Sequence, residues 1–222
     1  MDFEALWLSL RLGGLTVLVL IPLAIACGRF LAVRSFRGKA LAEAALALPL
    51  VLPPTVLGFY LLLAFGSGSF LGRAYASLFG QPLVFSFEAL LLASLLVNIP
   101  FAVQPIQRAF EAIAPDLRDA AATCGLSFWR TLWKIELPLA WPGILTAMAL
   151  TFAHTLGEFG VVLMVGGNIP GETRTVAIAI YDRVQAFDHA AAGRMAALLL
   201  MISLLAIALS YALSKRIGER HG

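Results

Sequence analysis

Long apolar runs separated by short polar and basic stretches set the pattern of this chain. Five runs cover about residues 9–33, 43–66, 85–107, 141–165 and 192–214. Each is long enough for the ~20 residues that a helix needs to cross ~30 Å of hydrocarbon. Lipid satisfies no backbone polar group, so runs of this kind cross as helices. The pattern predicts an all-α membrane protein with five transmembrane helices. They form a single transmembrane domain over residues 1–222, with no internal repeat and no soluble domain.

Two runs each carry more than one helix-disturbing proline. The second reads "LPLVLPPTVLGFYLLLAFG", where Pro49, Pro53 and Pro54 each remove a backbone donor, so it must bend or break. The third holds Asn98-Ile99-Pro100 and then Pro105, which predicts a second disrupted helix. Freed carbonyls at membrane depth need protein or water to satisfy them. Kinks made for packing and a lined solute path both meet that need. Two broken spans in one small protein favour a path.

Composition fits the same class. Of 222 residues, 60% are hydrophobic and 13% charged, and the mean hydropathy is +0.89. A soluble domain so apolar would expose aggregating surface. The net charge of +3 does not point to nucleic acid, because the basic residues flank the apolar runs. With the N-terminus outside, Arg29, Arg34, Arg37, Lys39, Arg108, Arg118, Arg130, Lys134, Lys215, Arg216 and Arg220 fall inside. Arg11, Arg73, Arg174, Arg183 and Arg194 fall outside, and eleven against five sets N-out and C-in. Ala24-Ile25-Ala26-Cys27 has the look of a lipoprotein cleavage site. The first ten residues, however, hold Asp2 and Glu4 and no Lys or Arg, so the first run is read as a retained helix. Cys27 and Cys124 lie far apart and are expected to form neither a disulfide nor a metal site.

One inner stretch, "DAAATCGLSFWRTLWKIELPLAWPG" (119–143), cannot cross a membrane. Pro115 suits the first turn of a helix, and Asp116 and Asp119 favour its N-terminal end. Ala120, Ala121 and Ala122 make a smooth face, and Gly125 supplies a left-handed stop. Ser127 is placed to cap a second short helix. Trp129 and Trp133 share a face of that helix, beside Arg130 and Lys134, a composition that rests at headgroups. Pro138 and Pro142 are expected to end the segment and start the fourth span. The stretch from about 115 to 138 is thus a helical knob at the inner surface.

Asp119-Ala120-Ala121, Gly125, and Ile135-x-Leu137-Pro138 resemble the EAA motif of ABC-importer permeases. There the pattern is Glu-Ala-Ala, three residues, Gly, nine residues, and Ile-x-Leu-Pro. The spacing matches throughout, and Asp119 in place of Glu is the one departure. "LPLVLPPTVLGFYLL", "LGEFGVVLMVGGNIPGETRT" and "AIAIYDRVQ" are similar to the molybdate permeases within that group. Sulfate and thiosulfate permeases share much of this, and charge alone does not separate molybdate from tungstate or sulfate, all tetrahedral dianions.

The resemblance implies a type I ABC-importer permease fold in the bacterial inner membrane, with residues 115–138 as a coupling helix. It also implies a second copy of the chain, two cytoplasmic ATPase subunits and a periplasmic molybdate-binding protein. No Gly-rich phosphate loop occurs here, so ATP and Mg are expected on the partner ATPase, with no cofactor or catalytic residue in this chain.

Inside the fourth run, Thr151, His154 and Glu158 recur at i, i+3 and i+7 with Thr155 alongside, a candidate translocation path. A buried polar contact that locks the helix reads the same residues otherwise. His154 and Glu158 are too few to hold a metal. A carboxylate repels a dianion, so Glu158 is expected to be paired. Asn168, Gly171 and Arg174 mark a turn-rich outer loop where a binding protein would dock. There Arg174 either attracts an anion or pairs with Glu172 or Glu158. A carrier driven by an ion gradient, with His154 and Glu158 as a proton relay, is the competing class. It leaves the inner motif unexplained and expects repeats that are absent. An intramembrane enzyme would need a nucleophile–base pair, and none is apparent.

Overall fold

A computed structural model describes residues 2–218, the last four by backbone alone; Arg220 lies outside the described residues. Among these residues the chain is all helix and turn. The helices are α1 (Phe3–Val33), α2 (Lys39–Val51), α3 (Pro54–Phe65), α4 (Phe70–Phe79), α5 (Phe87–Glu111), α6 (Pro115–Thr123), α7 (Phe128–Thr131), α8 (Leu137–Gly157), α9 (Gly160–Gly166), α10 (Val176–Gln185) and α11 (His189–Gly218). Four helical stretches are long and apolar enough to cross a membrane: Phe3–Val33, Phe87–Glu111, Phe128–Gly157 and His189–Ser214. The pair α2 and α3 makes a fifth when taken together, bent by 107°.

The bend falls where the prolines put it. Leu52 and Pro53 leave the helix with extended backbone, and Pro54 restarts it at a first-turn position that needs no N–H. The third run behaves differently from expectation. α5 stays helical through both Pro100 and Pro105. Each proline removes one donor, but packing holds the helix from two sides, because α5 lies between α1 and α8. The fourth run breaks where no break was expected, at Glu158 and Phe159 between α8 and α9.

α1, α5 and α8 form the centre. Leu20, Ile21 and Ala24 of α1 meet Val103, Ile106 and Phe110 of α5 and Ile144 of α8 in one buried cluster. α5 and α8 approach closely at Gly143. A Cβ there would lie 2.8 Å from the Pro105 carbonyl oxygen and press on Ala109. α11 packs on α8 and α10, yet only 6% of its apolar window is buried. Exposed Leu200, Leu204 and Leu205 on α11, with Leu18 and Leu23 on α1, give the bundle an apolar exterior suited to hydrocarbon.

Gly143→Leu is expected to push α5 and α8 apart at the centre, at a cost of about 1–3 kcal/mol. Thermal melting of the detergent-purified protein checks this, and an unchanged midpoint would show that the two helices can separate freely there.

Candidate functional site

The knob over residues 115–126 forms largely as its sequence dictates. Pro115 occupies the first turn of α6, with Asp116 beside it. The helix closes by a paired set of backbone bonds: Leu126 N–H donates to Ala121 O (3.0 Å) and Gly125 N–H to Ala122 O (2.9 Å). That closure needs a left-handed residue, and Gly125 has φ +73°. Asp119, Ala120, Ala122 and Gly125 stay exposed, while Ala121 is buried.

Beyond Gly125 the structure departs from expectation. Ser127 sits at the N-cap position of α7, but its side chain makes no capping bond. α7 is only four residues long and runs through a π-helical turn, Leu132–Glu136, into α8. No separate second helix forms, and Pro138 and Pro142 lie inside α8 rather than ending the segment. Pro138 has no N–H to offer the carbonyl four residues back. A wider turn, in which Leu137 N–H reaches Leu132 O, carries the helix past it. Ile135, Leu137 and Pro138 are half-buried along this turn, and Trp129 and Trp133 are exposed.

The turn places one carboxylate in the interior. Glu136 has no exposure, and its two oxygens each accept from a different arginine. Arg29 Nε from α1 donates to Oε2 at 2.6 Å, and Arg118 Nε from α6 donates to Oε1 at 2.6 Å. Arg118 also donates to the carbonyls of Phe110 (3.0 Å) and Ile113 (3.3 Å) at the end of α5. Four chain segments therefore converge on this ion cluster: α1, the end of α5, α6 and the π turn that leads into α8. Removing one partner of such a buried cluster is costly, because the other charges remain.

The polar residues of α8 divide into two groups. Thr151 and Thr155 are buried, with 0% and 2% exposure. Thr155 Oγ1 accepts from Asn98 Nδ2 of α5 (3.0 Å), and Asn98 Nδ2 also donates to Ser94 O (2.8 Å). His154 is different: its side chain is 30% exposed and stacks on Phe101 with ring centroids 4.0 Å apart. Glu158 Oε1 accepts from Val161 N–H at 2.9 Å, capping α9. Its other oxygen lies 4.0 Å from His154 Nε2. The carboxylate thus belongs to the break in the helix, where it occupies the role of an N-terminal cap.

At the opposite end, Asn168, Gly171 and Arg174 share one compact turn. Gly171 has φ +77°, and the N–H groups of Glu172, Thr173 and Arg174 all point to Ile169 O. Arg174 Nε donates to Asn168 Oδ1 (2.6 Å) and stands 3.7 Å from Asp182, to which Asn168 Nδ2 also donates (2.8 Å). The arginine is thus paired with Asp182, not with Glu172 or Glu158. Beside this turn a cleft of about 560 Å³ is lined by Glu4, Glu88 and Glu172 with Arg11 as its cation. Its net charge repels a dianion. Ser9 Oγ of α1 accepts from Val176 N–H (2.8 Å), tying α1 to the start of α10 just past the turn. Among the described residues, no three His, Cys, Asp or Glu are grouped to hold a metal ion.

A family model described as binding-protein-dependent transport system inner membrane component matches residues 21–219. The chain belongs to this permease family. It is 45% identical to the molybdenum transport system permease protein ModB of Azotobacter vinelandii, over 93% of this chain and 91% of that one. The sulfate transport system permease protein CysT of Escherichia coli K12 is more distant, 34% identical over 83% of this chain and 66% of its own length. Among solved structures, a bacterial alginate ABC transporter in complex with its pentasaccharide-bound periplasmic protein aligns with a TM-score of 0.76. It does so at 17% identity, covering 97% of this permease and 78% of that chain. The likeness is one of fold.

The permease's ion cluster is what the sequence reading missed. Arg29 and Arg118 counted only toward orientation, and Glu136 occupied the unspecified position of Ile135-x-Leu137-Pro138. A signal was present, since Glu136 is the only acid between Asp119 and Glu158. Glu136→Gln is expected to destabilise the fold by about 3–5 kcal/mol and to loosen α6. Faster tryptic cleavage after Arg118 and Arg130, with membrane insertion unchanged, is the measurement; wild-type resistance would mean the cluster does not hold the knob.

Proposed function

We propose that this chain is the transmembrane subunit of an ATP-driven importer that carries molybdate across the bacterial inner membrane. The observation that carries this reading is the 45% identity to a molybdenum permease over nearly the whole chain, against 34% and partial coverage for a sulfate permease. The chain crosses five times, N-out and C-in, with α2 and α3 together as one broken crossing. Two copies enclose the path. His154, whose side chain is partly exposed, faces it, while Thr155 bonds α8 to Asn98 of α5 and Thr151 is buried.

In this reading α6 and the following turn dock on an ATPase, one on each copy. Exposed Asp119, Ala120 and Gly125 meet the ATPase, and the buried Glu136 cluster carries its movement to α1 and α5. ATP and Mg belong to that partner. The loop with Asn168, Gly171 and Arg174 receives a periplasmic binding protein, which supplies the affinity that this chain lacks. Arg174 shapes the loop through Asp182, so capture of the dianion rests with the binding protein.

Uptake of labelled molybdate, with the cognate ATPase and binding protein in proteoliposomes, tests the substrate. Competition by excess molybdate and tungstate but little by sulfate is expected. Strong competition by sulfate with little by tungstate would move the chain to the sulfate branch. Uptake driven by an ion gradient without nucleotide would make it a carrier.

Gly125→Leu tests the coupling. A Cβ at this position meets nothing within 4 Å in this chain. The intramolecular cost is therefore the left-handed backbone, about 1–2 kcal/mol, while the added side chain projects toward the docked partner. Uptake and transport-stimulated ATP hydrolysis are expected to fall with the dimer still inserted; full activity at equal expression would show that the knob does not couple. For the path, a cysteine at His154 is expected to react with small water-soluble thiol reagents in a nucleotide-dependent way. One at buried Thr151 is expected to stay protected, and the reverse order would place the path on the Thr151 side of α8.

A further inference from the structure

Beside the knob, α1 and α7 enclose a cleft of about 750 Å³ that the transport reading does not use. Its walls are apolar and aromatic, with Pro22 and Phe30 from α1, Phe36 beyond it, and Phe128 and Trp129 from α7. Among the described residues, the only charged groups lining it are Arg29 and Arg34, and no carboxylate does. Arg29 is already engaged, bonded to Glu136 and lying 4.5 Å over the Phe128 ring. Arg34 is exposed and makes no ion pair among the described residues.

The cleft has a polarity and a length. Arg34 stands at one end, just past α1, with Arg29 five residues before it, and the exposed Trp129 ring, which favours a headgroup layer, shares the lining. From there it runs back along α1 to Pro22, eleven residues before the end of the helix at Val33. At ~1.5 Å per residue that is roughly 16 Å, about half of a ~30 Å hydrocarbon core. An occupant matched to this shape has one anionic head and an apolar tail about one leaflet long.

We propose that this cleft binds an anionic phospholipid of the inner leaflet, its phosphate at Arg34 and an acyl chain along α1 beneath Phe128 and Trp129. The proposal rests on the orientation given under the proposed function. A bound lipid there would touch both the helix that carries Arg29 and the first turn after the coupling knob. Lipid charge would then act on the same elements as the ATPase.

The test uses the permease–ATPase complex in nanodiscs of equal phosphatidylglycerol and phosphatidylcholine, with native mass spectrometry counting retained lipids. Preferential retention of phosphatidylglycerol is expected. Arg34→Gln should reduce it about fivefold, the scale of one basic group at an anionic surface. Arg37→Gln, outside the cleft, should leave it unchanged. Equal retention of the two lipids, or undiminished preference in Arg34→Gln, overturns the proposal. Displacement of the lipid by inorganic phosphate would reassign Arg34 to a free-anion site and overturn it as well. Efficient cross-linking between copies through a cysteine at Val33, with no lipid retained, would give the cleft to a second copy instead. ATP hydrolysis stimulated by loaded binding protein, measured in the same discs, reads the transport function separately. Selective lipid retention without that stimulation would support the lipid site while counting against the importer.

Discussion

A carboxylate withdrawn from water costs several kcal/mol unless neighbouring charges and donors neutralise it. Glu136 meets that condition with two guanidinium groups, one from each of two elements remote in sequence. The condition is geometrically demanding. α1 must end level with the π turn, α6 must lie across the foot of α5, and the π turn must rotate Glu136 inward. Relaxing any of these leaves an unpaired charge in the interior. The position of the knob relative to the bundle is therefore specified by electrostatics more than by apolar contact, since α6 itself buries only Ala121 among its residues.

The same demand for satisfied groups explains where the helices break. At Pro53 the chain turns by 107° and restarts with a residue that has no N–H to satisfy. At Glu158 the break exposes N–H groups instead, and the side chain supplies the missing acceptor for Val161. One break is resolved by removing donors and the other by adding an acceptor. In hydrocarbon no third solution from solvent is at hand.

The apolar runs made the all-helical membrane class legible, and spacing alone located the knob and the left-handed turn at Gly125. These signals are local: a run of oil, a proline, a glycine at the end of a short helix. What escaped depended on how separate elements pack against one another. Pro100 and Pro105 read as disruptions because nothing in the sequence says that α5 is held between two other helices. Thr151 and Thr155 read as one stripe with His154 because periodicity places residues on a face without saying which neighbour covers it. For Thr155, Asn98, 57 residues away, decides that. Arg174 read either as an anion attractor or as a partner of Glu172 or Glu158, and the carboxylate beside it, Asp182, is presented by α10, a helix not expected from the sequence.

α1 is fastened at both of its ends. Ser9 holds the backbone that begins α10, and Arg29 holds the buried carboxylate beside the knob. The two attachments are twenty residues apart, roughly 30 Å of unbroken helix at ~1.5 Å per residue. A rod of that length is stiff along its axis, and Pro22 between the attachments lets it flex sideways more readily than stretch. A displacement imposed at one membrane face therefore cannot be absorbed within α1 by lengthening. It arrives at the other face as a pull or a tilt.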